Sequence, residues 1–382
     1  MADLRAFPGL RYDPARVGDL ARVVSPPYDV IPEDQLEYYR RRSPWNVIRL
    51  IRPGSDYQSA ARLLEEWQRE GVLRRDAPSM YLHEASFEGR RRRDLVAALR
   101  LQPYSDRVVL PHELTHRGPK ADRLALMQAT GAALEPLWFL YEGAGTTLPR
   151  LLEAAAQARP AAEFEFPEAE LHRFWVIDAP EWHQQVSAAL AEMPVLIADG
   201  HHRYETTLSF SQELGGGPDA ASRFTPAVLT DLDDQGLLVL PTHRLLRTGV
   251  AVTGGQEAGS LEEVLGALEG RVAAGVYSDG KFQVLELEGE VPVVELHRQV
   301  VDNILGRKSA EENIYYTRDA AEAVREVDAG RAVSAFFLPK PDLAVVLRQA
   351  REGMTFPQKT TYFHPKPPSG MVFYTLDTDR SL

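Results

Sequence analysis

The middle of the chain contains the run Val195-Leu196-Ile197-Ala198-Asp199-Gly200-His201-His202-Arg203-Tyr204-Glu205. Its four leading apolar residues favour a short buried strand. Gly200 permits a tight turn, because glycine adopts backbone conformations that other residues resist. The residues that follow, up to the triple glycine at 215–217, predict a helix. We therefore expect a strand that turns directly into a helix.

This turn is typical of an anion site. The backbone N–H groups of a first helical turn lack partners within the helix, and the helix dipole adds partial positive charge there. His201, His202 and Arg203 add donors of the type that phosphate requires. Asp199 ends the strand beside the anion, where a carboxylate can hold Mg²⁺ together with phosphate oxygens. Two alternatives stay open: the histidines are metal ligands, or they are surface residues of a helix start.

Length and composition limit the remaining possibilities. The chain has 382 residues, and a single core usually stops growing at ~250–300, so we expect two domains or one with large insertions. A hydrophobic content of 44% excludes global disorder. The net charge of −12 argues against nucleic-acid and anionic-membrane partners. The chain has no cysteine, which excludes disulfides, thiolate metal sites and a cysteine nucleophile.

No targeting or membrane segment is expected. The first nine residues lack the apolar central stretch of a signal peptide. No window approaches the ~18 uncharged apolar residues of a membrane span. We therefore expect a cytoplasmic protein.

Outward from residues 195–205, strand-like and helical segments alternate through 106–248, which predicts an α/β region. Residues 249–259 are rich in glycine, valine and alanine and form the best linker candidate. The part beyond them has an α+β pattern. We therefore expect a fold between α/β and α+β, with an N-terminal α+β segment at 1–105, a core at 106–248 and a C-terminal α+β domain at 260–382.

The N-terminal segment shows local patterns. Residues 46–51 predict a short strand, and apolar residues at helical spacing predict a helix over Tyr57–Trp67. Residues 80–87 and 94–101 predict a hairpin. The run Arg90–Arg93 lies at its tip, where we expect a solvated hairpin end. The alternative is a contact with phosphate or an acidic partner.

The run Asp199–Glu205 resembles the signature of the ParB/sulfiredoxin-like superfamily and is especially similar to the version carried by free-serine kinases. Those kinases also carry an upstream Pro-His-Glu, followed by a helix and a strand. This chain has Pro111-His112-Glu113, then a helix beginning near Ala121, then Pro136–Phe139 in the same order. The resemblance implies a ParB-like nucleotide-binding core. The separation of the two motifs implies an insertion near 142–182.

Over nearly its whole length the chain also resembles a bacterial and archaeal family classed as a domain of unknown function, number 1015. The matching runs are Ser25–Val30, Ser43–Leu50, Leu110–Leu124, Ile197–Glu205, Pro241–Arg244 and Pro357–Gly370.

The kinase resemblance implies a role for each matching residue. Glu113 would be the general base that takes the proton of a serine hydroxyl, and Asp199 would organise Mg²⁺ or the phosphate site. Residues 200–203 would hold the transferring phosphate. A solvated loop carboxylate stays the alternative for Glu113. The sulfiredoxin branch acts through a cysteine, which this chain lacks.

Other residues are candidates to complete the site. Lys120, at a helix start, and His243, at the end of a hairpin, are candidates for nucleotide phosphates, and Lys359 is a candidate for a substrate carboxylate or a phosphate. Tyr28 and Asp29, in a proline-stiffened loop, are candidates for one wall of the substrate pocket. The alternatives are a solvated lysine for Lys120, a purely structural brace for the loop and a simple helix start for His243.

Together these features predict a nucleotide-dependent phosphotransferase that acts on a small hydroxylated metabolite. Free L-serine, converted to O-phosphoserine with ATP or ADP and Mg²⁺, is the acceptor that the resemblance implies. The alternatives are a nucleotide-binding regulatory switch and a small-molecule phosphoesterase. The oligomeric state is open between a monomer and a homodimer.

Overall fold

A computed structural model describes residues 1–113, 117–167, 169–252, 254–306 and 313–382, with the side chains of 117–119 left aside. The protein is a mixed α/β structure, as predicted. Across these ranges, no helix combines the length and apolar character that crossing a membrane requires.

The strands are numbered in chain order. They are β1 Leu4–Arg5, β2 Leu10–Tyr12, β3 Leu73–Arg75, β4 Met80–Phe87, β5 Arg90–Arg100, β6 Val109–Leu110, β7 Ala132–Ala133, β8 Leu137–Tyr141, β9 Ala162–Glu165, β10 Leu171–Ile177, β11 Val195–Asp199, β12 Phe224–Asp231, β13 Leu238–Leu240, β14 His243–Leu246, β15 Gln256–Ala258, β16 Ala273–Ser278, β17 Lys281–Glu286, β18 Ile314–Thr317, β19 Ser334–Phe337, β20 Tyr362–His364 and β21 Tyr374–Thr375.

The α-helices are numbered in the same way. They are α1 Pro14–Val17, α2 Leu36–Arg42, α3 Ile48–Ile51, α4 Tyr57–Arg69, α5 Arg117–Thr130, α6 Leu148–Ala155, α7 Pro180–Leu190, α8 His201–Leu214, α9 Leu261–Ala267, α10 Pro292–Leu296, α11 Asp302–Leu305, α12 Ala320–Asp328 and α13 Leu343–Arg351.

The chain divides into two compact units. The first comprises residues 1–111, 115–238 and 365–382. Within its described residues, nine strands form one mixed sheet in the order β6-β11-β8-β12-β5-β4-β10-β9, with β1 beside β5. Strands β11 and β6 run parallel, as do β12 and β8. Every residue of β8 is buried, which is typical of a strand covered on both faces.

The second unit comprises residues 112–114 and 239–364. Six antiparallel strands among its described residues form a sheet in the order β15-β17-β16-β19-β14-β18. Two apolar clusters pack within this unit, one with Leu296 and Phe336 and the other with Val264 and Phe337. The α+β pattern expected for the C-terminal part matches this arrangement.

The boundaries of the units differ from the expected segments. Strands from both 1–105 and 106–248 share the first sheet, and the stretch 142–182 supplies β9 and β10 to it. The second unit includes residues from Val239 onward. The three-part division and the insertion stay predictions about domain organisation.

Two local expectations are confirmed and one is wrong. Helix α4 covers the predicted span; Asp56 caps it by accepting from the Ser59 N–H, and Leu64 and Trp67 are buried. The predicted hairpin is β4 with β5. Residues 46–51, predicted as a strand, contain helix α3 instead.

Buried charged and histidine side chains of the first sheet form a hydrogen-bonded network. Arg92, expected at a solvated hairpin tip, is fully buried, which corrects that interpretation. Its Nε and Nη2 donate to the two carboxylate oxygens of Asp94, each at 2.9 Å. The Nδ1 atom of His83 lies 2.7 Å from Asp94, and its Nε2 lies 2.9 Å from Nδ1 of His172. Burial opposes ionisation of Asp94, but the Arg92 guanidinium and His83 outweigh it and hold the pKa of this carboxyl below its usual range.

Candidate functional site

Strand β11 turns into helix α8 through Gly200, as the sequence predicts. Gly200 has φ of 100°, a conformation that side chains other than hydrogen resist. A Cβ atom there would also come within 2.8 Å of Leu137 Cδ2. As the N-cap, Gly200 has no side chain to accept from the first helical turn. The turn therefore presents the N-terminus of a 14-residue helix beside Asp199.

Two cations hold the Asp199 carboxylate. Arg203 Nη2 donates to Oδ2 at 2.8 Å, and Lys366 Nζ donates to Oδ1. Lys366 Nζ also lies 3.6 Å from Asp29 Oδ2, so this amine sits between two carboxylates. Its side chain is only 8% exposed. A lysine so buried is rare without paired carboxylates or a ligand.

Lys366 is the residue of this cluster that the sequence motifs did not predict. It is 167 positions from Asp199 in the chain, and no local pattern reports a contact at that distance. One signal was available: it is one of only six lysines in this arginine-rich sequence, and it stands inside a proline-rich run at 365–368.

Arg203 contacts the backbone before β8 as well as Asp199 in the turn. Besides Asp199, its guanidinium donates to the Pro136 carbonyl oxygen at 2.8 Å. Burial lowers the pKa of Arg203, but the carboxylates of Glu135, Asp199 and Asp29 outweigh it and raise the pKa. The guanidinium therefore braces the start of β8 against the end of β11, a role that the sequence did not predict.

We expect Arg203→Ala to lower the free energy of unfolding by about 1.5–3 kcal/mol, because a charge-assisted hydrogen bond contributes about that much. Urea unfolding measures the effect. Arg62→Ala is the matched control, since Arg62 is 67% exposed and lies 3.5 Å from Asp56; its expected cost is under ~0.5 kcal/mol. Equal losses in the two variants would contradict the bracing role.

The loop that carries Tyr28 and Asp29 is fixed by a buried carboxylate. Glu135 Oε1 accepts from the Tyr28 N–H at 3.0 Å and from the Ser369 hydroxyl at 2.7 Å. The Arg123 guanidinium stacks 4.1 Å above the Tyr28 ring. Burial raises the pKa of Tyr28 to about 12, so its hydroxyl stays protonated at neutral pH. The structure thus brings Tyr28 and Asp29 together with Asp199, Arg203 and Lys366 in the first unit.

The remaining phosphate candidates in the first unit lie on or against α8. Lys120 Nζ donates to Glu205 Oε2, an ion pair that joins α5 to α8. His201 is buried and His202 is half-buried in the first turn of α8.

The described residues around Asp199 do not by themselves form a set of three or more metal-ligating side chains. Both carboxylate oxygens of Asp199 already face a cation. Mg²⁺ usually takes only one or two carboxylates alongside phosphate oxygens. A metal at Asp199 would therefore have to arrive with a phosphate ligand that displaces Lys366.

Glu113 belongs to the second unit, where two backbone amides orient it. Its Oε1 accepts from the N–H groups of Thr360 at 3.0 Å and Thr361 at 3.3 Å. The adjoining His112 Nε2 lies 2.8 Å from the Thr361 hydroxyl. The Glu113 side chain is 15% exposed. These contacts fix one carboxylate oxygen and involve no hydrogen bond to the other, Oε2, among the described residues.

Arg244 is a fully buried cation near Glu113. Its Nη2 donates to the carbonyl oxygens of Gln358 and Lys359 at 3.2 and 3.0 Å, and its Nη1 donates to that of Thr242. No carboxylate lies within ion-pair distance of Arg244 in the described part of the chain. Burial lowers the pKa of Arg244 to about 10. Lys359 contributes its carbonyl to this arrangement and has a left-handed φ of 55°.

His243, a phosphate candidate, is buried inside the second unit with 2% exposure. Its Nδ1 accepts from the Leu338 N–H at 3.3 Å, which requires an unprotonated nitrogen. Burial and the neighbouring Arg244 lower the pKa of His243 to about 4. At neutral pH it is therefore an uncharged acceptor, whereas the sequence suggested a donor to phosphate.

This lowered pKa makes stability depend on pH. Folded His243 stays neutral down to about pH 4, but the unfolded chain protonates it near pH 6.5. The unfolded state thus binds more protons in this window, and the free energy of unfolding falls as the pH is lowered through it. At pH 5, His243 alone accounts for about 2 kcal/mol of the loss. We expect His243→Gln to flatten the slope of stability between pH 7 and pH 5; an unchanged slope would contradict the assignment.

No curated protein matches the sequence. Among solved structures, the free serine kinase in complex with AMP is 15% identical, with 76% of this chain and 93% of that chain covered and a TM-score of 0.44. A conserved hypothetical protein from Pyrococcus furiosus is 16% identical, with 74% and 95% covered and a TM-score of 0.40.

SbnI from Staphylococcus aureus, with a C-terminal truncation, is 9% identical, with 74% and 86% covered and a TM-score of 0.37. Likeness at this distance carries no inference about chemistry. The model of one family, described as a protein of unknown function (DUF1015), matches residues 4–326. That match spans most of the sequence and agrees with the resemblance at the motifs quoted above, so the chain belongs to the DUF1015 family.

Proposed function

We propose that this protein is a cytoplasmic, nucleotide-dependent phosphotransferase whose acceptor is the hydroxyl group of a small metabolite, with free L-serine as the first candidate. The support comes from the residues of the turn at 199–203 and from their resemblance to the motif of free-serine kinases. Phosphoryl transfer depends mainly on positioning and charge neutralisation. The groups around this turn are of the types that supply both.

The observation that carries the proposal is the buried amine of Lys366 between Asp199 and Asp29, beside the N-terminus of α8. Phosphate oxygens compete with carboxylates for an ammonium group. An incoming nucleotide phosphate would take Lys366 and the N–H groups of α8. Asp199 and Asp29 would then face the Mg²⁺ that the nucleotide brings.

In the proposed reaction the acceptor hydroxyl oxygen forms a bond to the terminal phosphorus of ATP or ADP. The bond from that phosphorus to its bridging oxygen breaks, and the shortened nucleotide leaves. Glu113 takes the hydroxyl proton, which balances the step. Its fixed Oε1 orients the carboxylate, as a general base requires.

The test is incubation with ATP or ADP, Mg²⁺ and a pool of hydroxylated metabolites that includes L-serine, followed by ³¹P NMR. The proposal expects a new phosphorylated metabolite, with O-phosphoserine first. If the protein binds nucleotide but forms little phosphorylated product, the phosphotransferase proposal is rejected in favour of the regulatory switch. If the protein releases phosphate from phosphometabolites in the absence of nucleotide, the phosphotransferase proposal is rejected in favour of the phosphoesterase.

Lys366→Gln provides the matched variant for this experiment. It should weaken nucleotide binding about tenfold or more, because a charge-assisted phosphate contact is lost. Lys281→Gln, at an exposed position in the second unit, is the control and should bind nucleotide as the wild type does. Equal affinity in the two variants would overturn the role of Lys366.

A further inference from the structure

One face of the first sheet carries a row of polar side chains that the phosphotransferase proposal uses only at its last member. The row takes one residue from each of six neighbouring strands: His172, His83, Asp94, Thr230, Trp138 and Asp199. Along the row, successive residues are either opposite each other in the register or two positions from the opposite residue. They therefore lie on the same face, because side chains alternate between the faces of a sheet. Hydrogen bonds join each member to the next from His172 as far as Trp138.

Arg92 contacts the chain on both sides of the ion pair between Lys366 and Asp199. Its guanidinium carbon lies 4.5 Å from the centroid of the Trp138 ring, and Trp138 is the residue opposite Asp199 in the pairing of β8 with β11. Its Nη1 donates to the carbonyl oxygen of Pro365, which immediately precedes Lys366. One buried cation therefore contacts the segment that carries the amine and the strand that pairs with its carboxylate partner.

The Arg92 side chain is itself held in one position. It has no exposed surface. Each of its three guanidinium nitrogens donates a hydrogen bond, Nη1 to Pro365 and the other two to Asp94. The Asp94 carboxylate also lies at hydrogen-bond distance from His83 and accepts from the Thr230 hydroxyl. The row thus fixes Asp94, and Asp94 fixes Arg92.

The segment that carries Lys366 has little backbone with which to anchor itself. Residues 365–368 read Pro-Lys-Pro-Pro, so three of the four lack a backbone N–H group. Such a segment depends on its carbonyl oxygens and side chains for hydrogen bonds. The Pro365 carbonyl oxygen, which accepts from Arg92, is one of these anchors.

We propose that Arg92, held by Asp94, is a positioning residue for Lys366. It fixes the backbone beside this lysine, so that the amine stays against the Asp199 carboxylate at the turn. A long side chain loses rotational freedom when it is fixed, and an amine that is already in place reduces that cost for an incoming phosphate. The benefit to phosphate binding rests on the proposed function, whereas the placement of the amine does not.

The first test measures the reactivity of each lysine amine in the folded full-length chain, by reductive methylation and mass spectrometry. Wild-type Lys366 should react slowly, because its amine is paired and its side chain is only 8% exposed. The double variant with both Arg92→Met and Asp94→Leu removes the two buried charges together, which favours a folded protein. It should raise the rate of Lys366 at least tenfold relative to that of exposed Lys281. Leu99→Ala, a cavity variant on the opposite face of β5, is the control and should leave that ratio unchanged.

Two outcomes of this test would overturn the proposal. One is an unchanged rate for Lys366 in the folded double variant. The other is an equal rise in Leu99→Ala, which would indicate a general loosening of the sheet. If the double variant does not fold, Thr230→Val decides in its place, because it removes one donor to Asp94 with little change in shape. It should raise the rate of Lys366 about threefold, and an unchanged rate would reject the positioning role.

The second test asks whether the effect on ligand binding passes through Lys366. Calorimetry measures ADP affinity in four chains: the wild type, the double variant, Lys366→Gln and the three substitutions combined. The double variant should weaken ADP binding about five- to tenfold in the wild-type background, and not at all when Lys366→Gln is also present, because no amine is then left to position. Equal weakening in both backgrounds would refute the positioning role. If the wild type binds neither ATP nor ADP, the proposed function fails, and the lysine reactivities alone decide the placement of the amine.

Discussion

Glu113→Gln should lower kcat of the proposed transfer about 10²-fold and leave nucleotide affinity nearly unchanged. Glutamine keeps the shape of the side chain and can still accept from the Thr360 and Thr361 amides through its carbonyl oxygen, but it cannot take a proton at neutral pH. Loss of a general base typically costs ~10²–10⁴-fold in rate. The lower end is expected because a loose phosphoryl-transfer transition state depends less on the base.

Asp199→Asn is the informative partner of that variant. It removes the negative charge that Lys366 and Arg203 share, and with it the carboxylate proposed to face nucleotide-bound Mg²⁺. We expect both nucleotide affinity and rate to fall. Turnover and nucleotide affinity should therefore be measured for both variants. Equal affinity losses would mean that Glu113 is not a dedicated base, and full activity in Glu113→Gln would reject its assignment and favour the nucleotide switch.

The features that the sequence predicted correctly are those encoded by neighbouring residues. The turn at Gly200 follows from an apolar run, a glycine and a helix start within eleven positions. Helix α4 follows from apolar residues at helical spacing. The strand prediction for residues 46–51 was wrong because a short apolar run fits a buried helix turn as well as a strand. In the structure, tertiary packing buries Ile48, Leu50 and Ile51 in α3.

Only some residues of the candidate site are close together in the sequence. Residues 199–203 lie together because they are consecutive, but Lys366 reaches Asp199 from the C-terminal part of the chain. Likewise Glu113 meets Thr360 across 247 positions. Such contacts depend on the fold as a whole and leave no periodic signal. His243 shows a related limit: its residue type suggested a donor to phosphate, whereas burial makes it a neutral acceptor.

The arginine run at 90–93 shows how strand geometry decides the role of a charge. Successive side chains of a strand point to opposite faces, so Arg92 and Asp94 share one face of β5. Arg90 and Arg91 are exposed, but Arg92 points inward and pairs with Asp94. The sequence contains both residues two positions apart. The sequence does not show that this face is buried, because neighbouring strands create the burial.

Asp94→Asn should lower the free energy of unfolding by about 3–5 kcal/mol, because removing one partner leaves the other charge buried without compensation. Arg92 and Asp94 are both fully buried, and Arg92 also stacks 4.5 Å from the Trp138 ring, so the guanidinium has no path to water. Chemical denaturation at pH 7 measures the effect. Glu37→Gln is the control, since that carboxylate is 61% exposed beside Arg40, and an exposed ion pair contributes little to stability.

A double variant separates the cost of an unpaired charge from the net contribution of the pair. Replacing a buried ion pair by apolar residues of similar size is often close to neutral, because two desolvation penalties disappear together. The variant with both Arg92→Met and Asp94→Leu should therefore lose less stability than Asp94→Asn alone. The coupling energy between Arg92→Met and Asp94→Leu, taken from the double variant and its two single variants, should exceed ~1 kcal/mol. His83 limits the recovery, because its Nδ1 loses the Asp94 oxygen at 2.7 Å. If Asp94→Asn costs no more than the surface control, the network does not hold a buried charge, and water must reach Arg92.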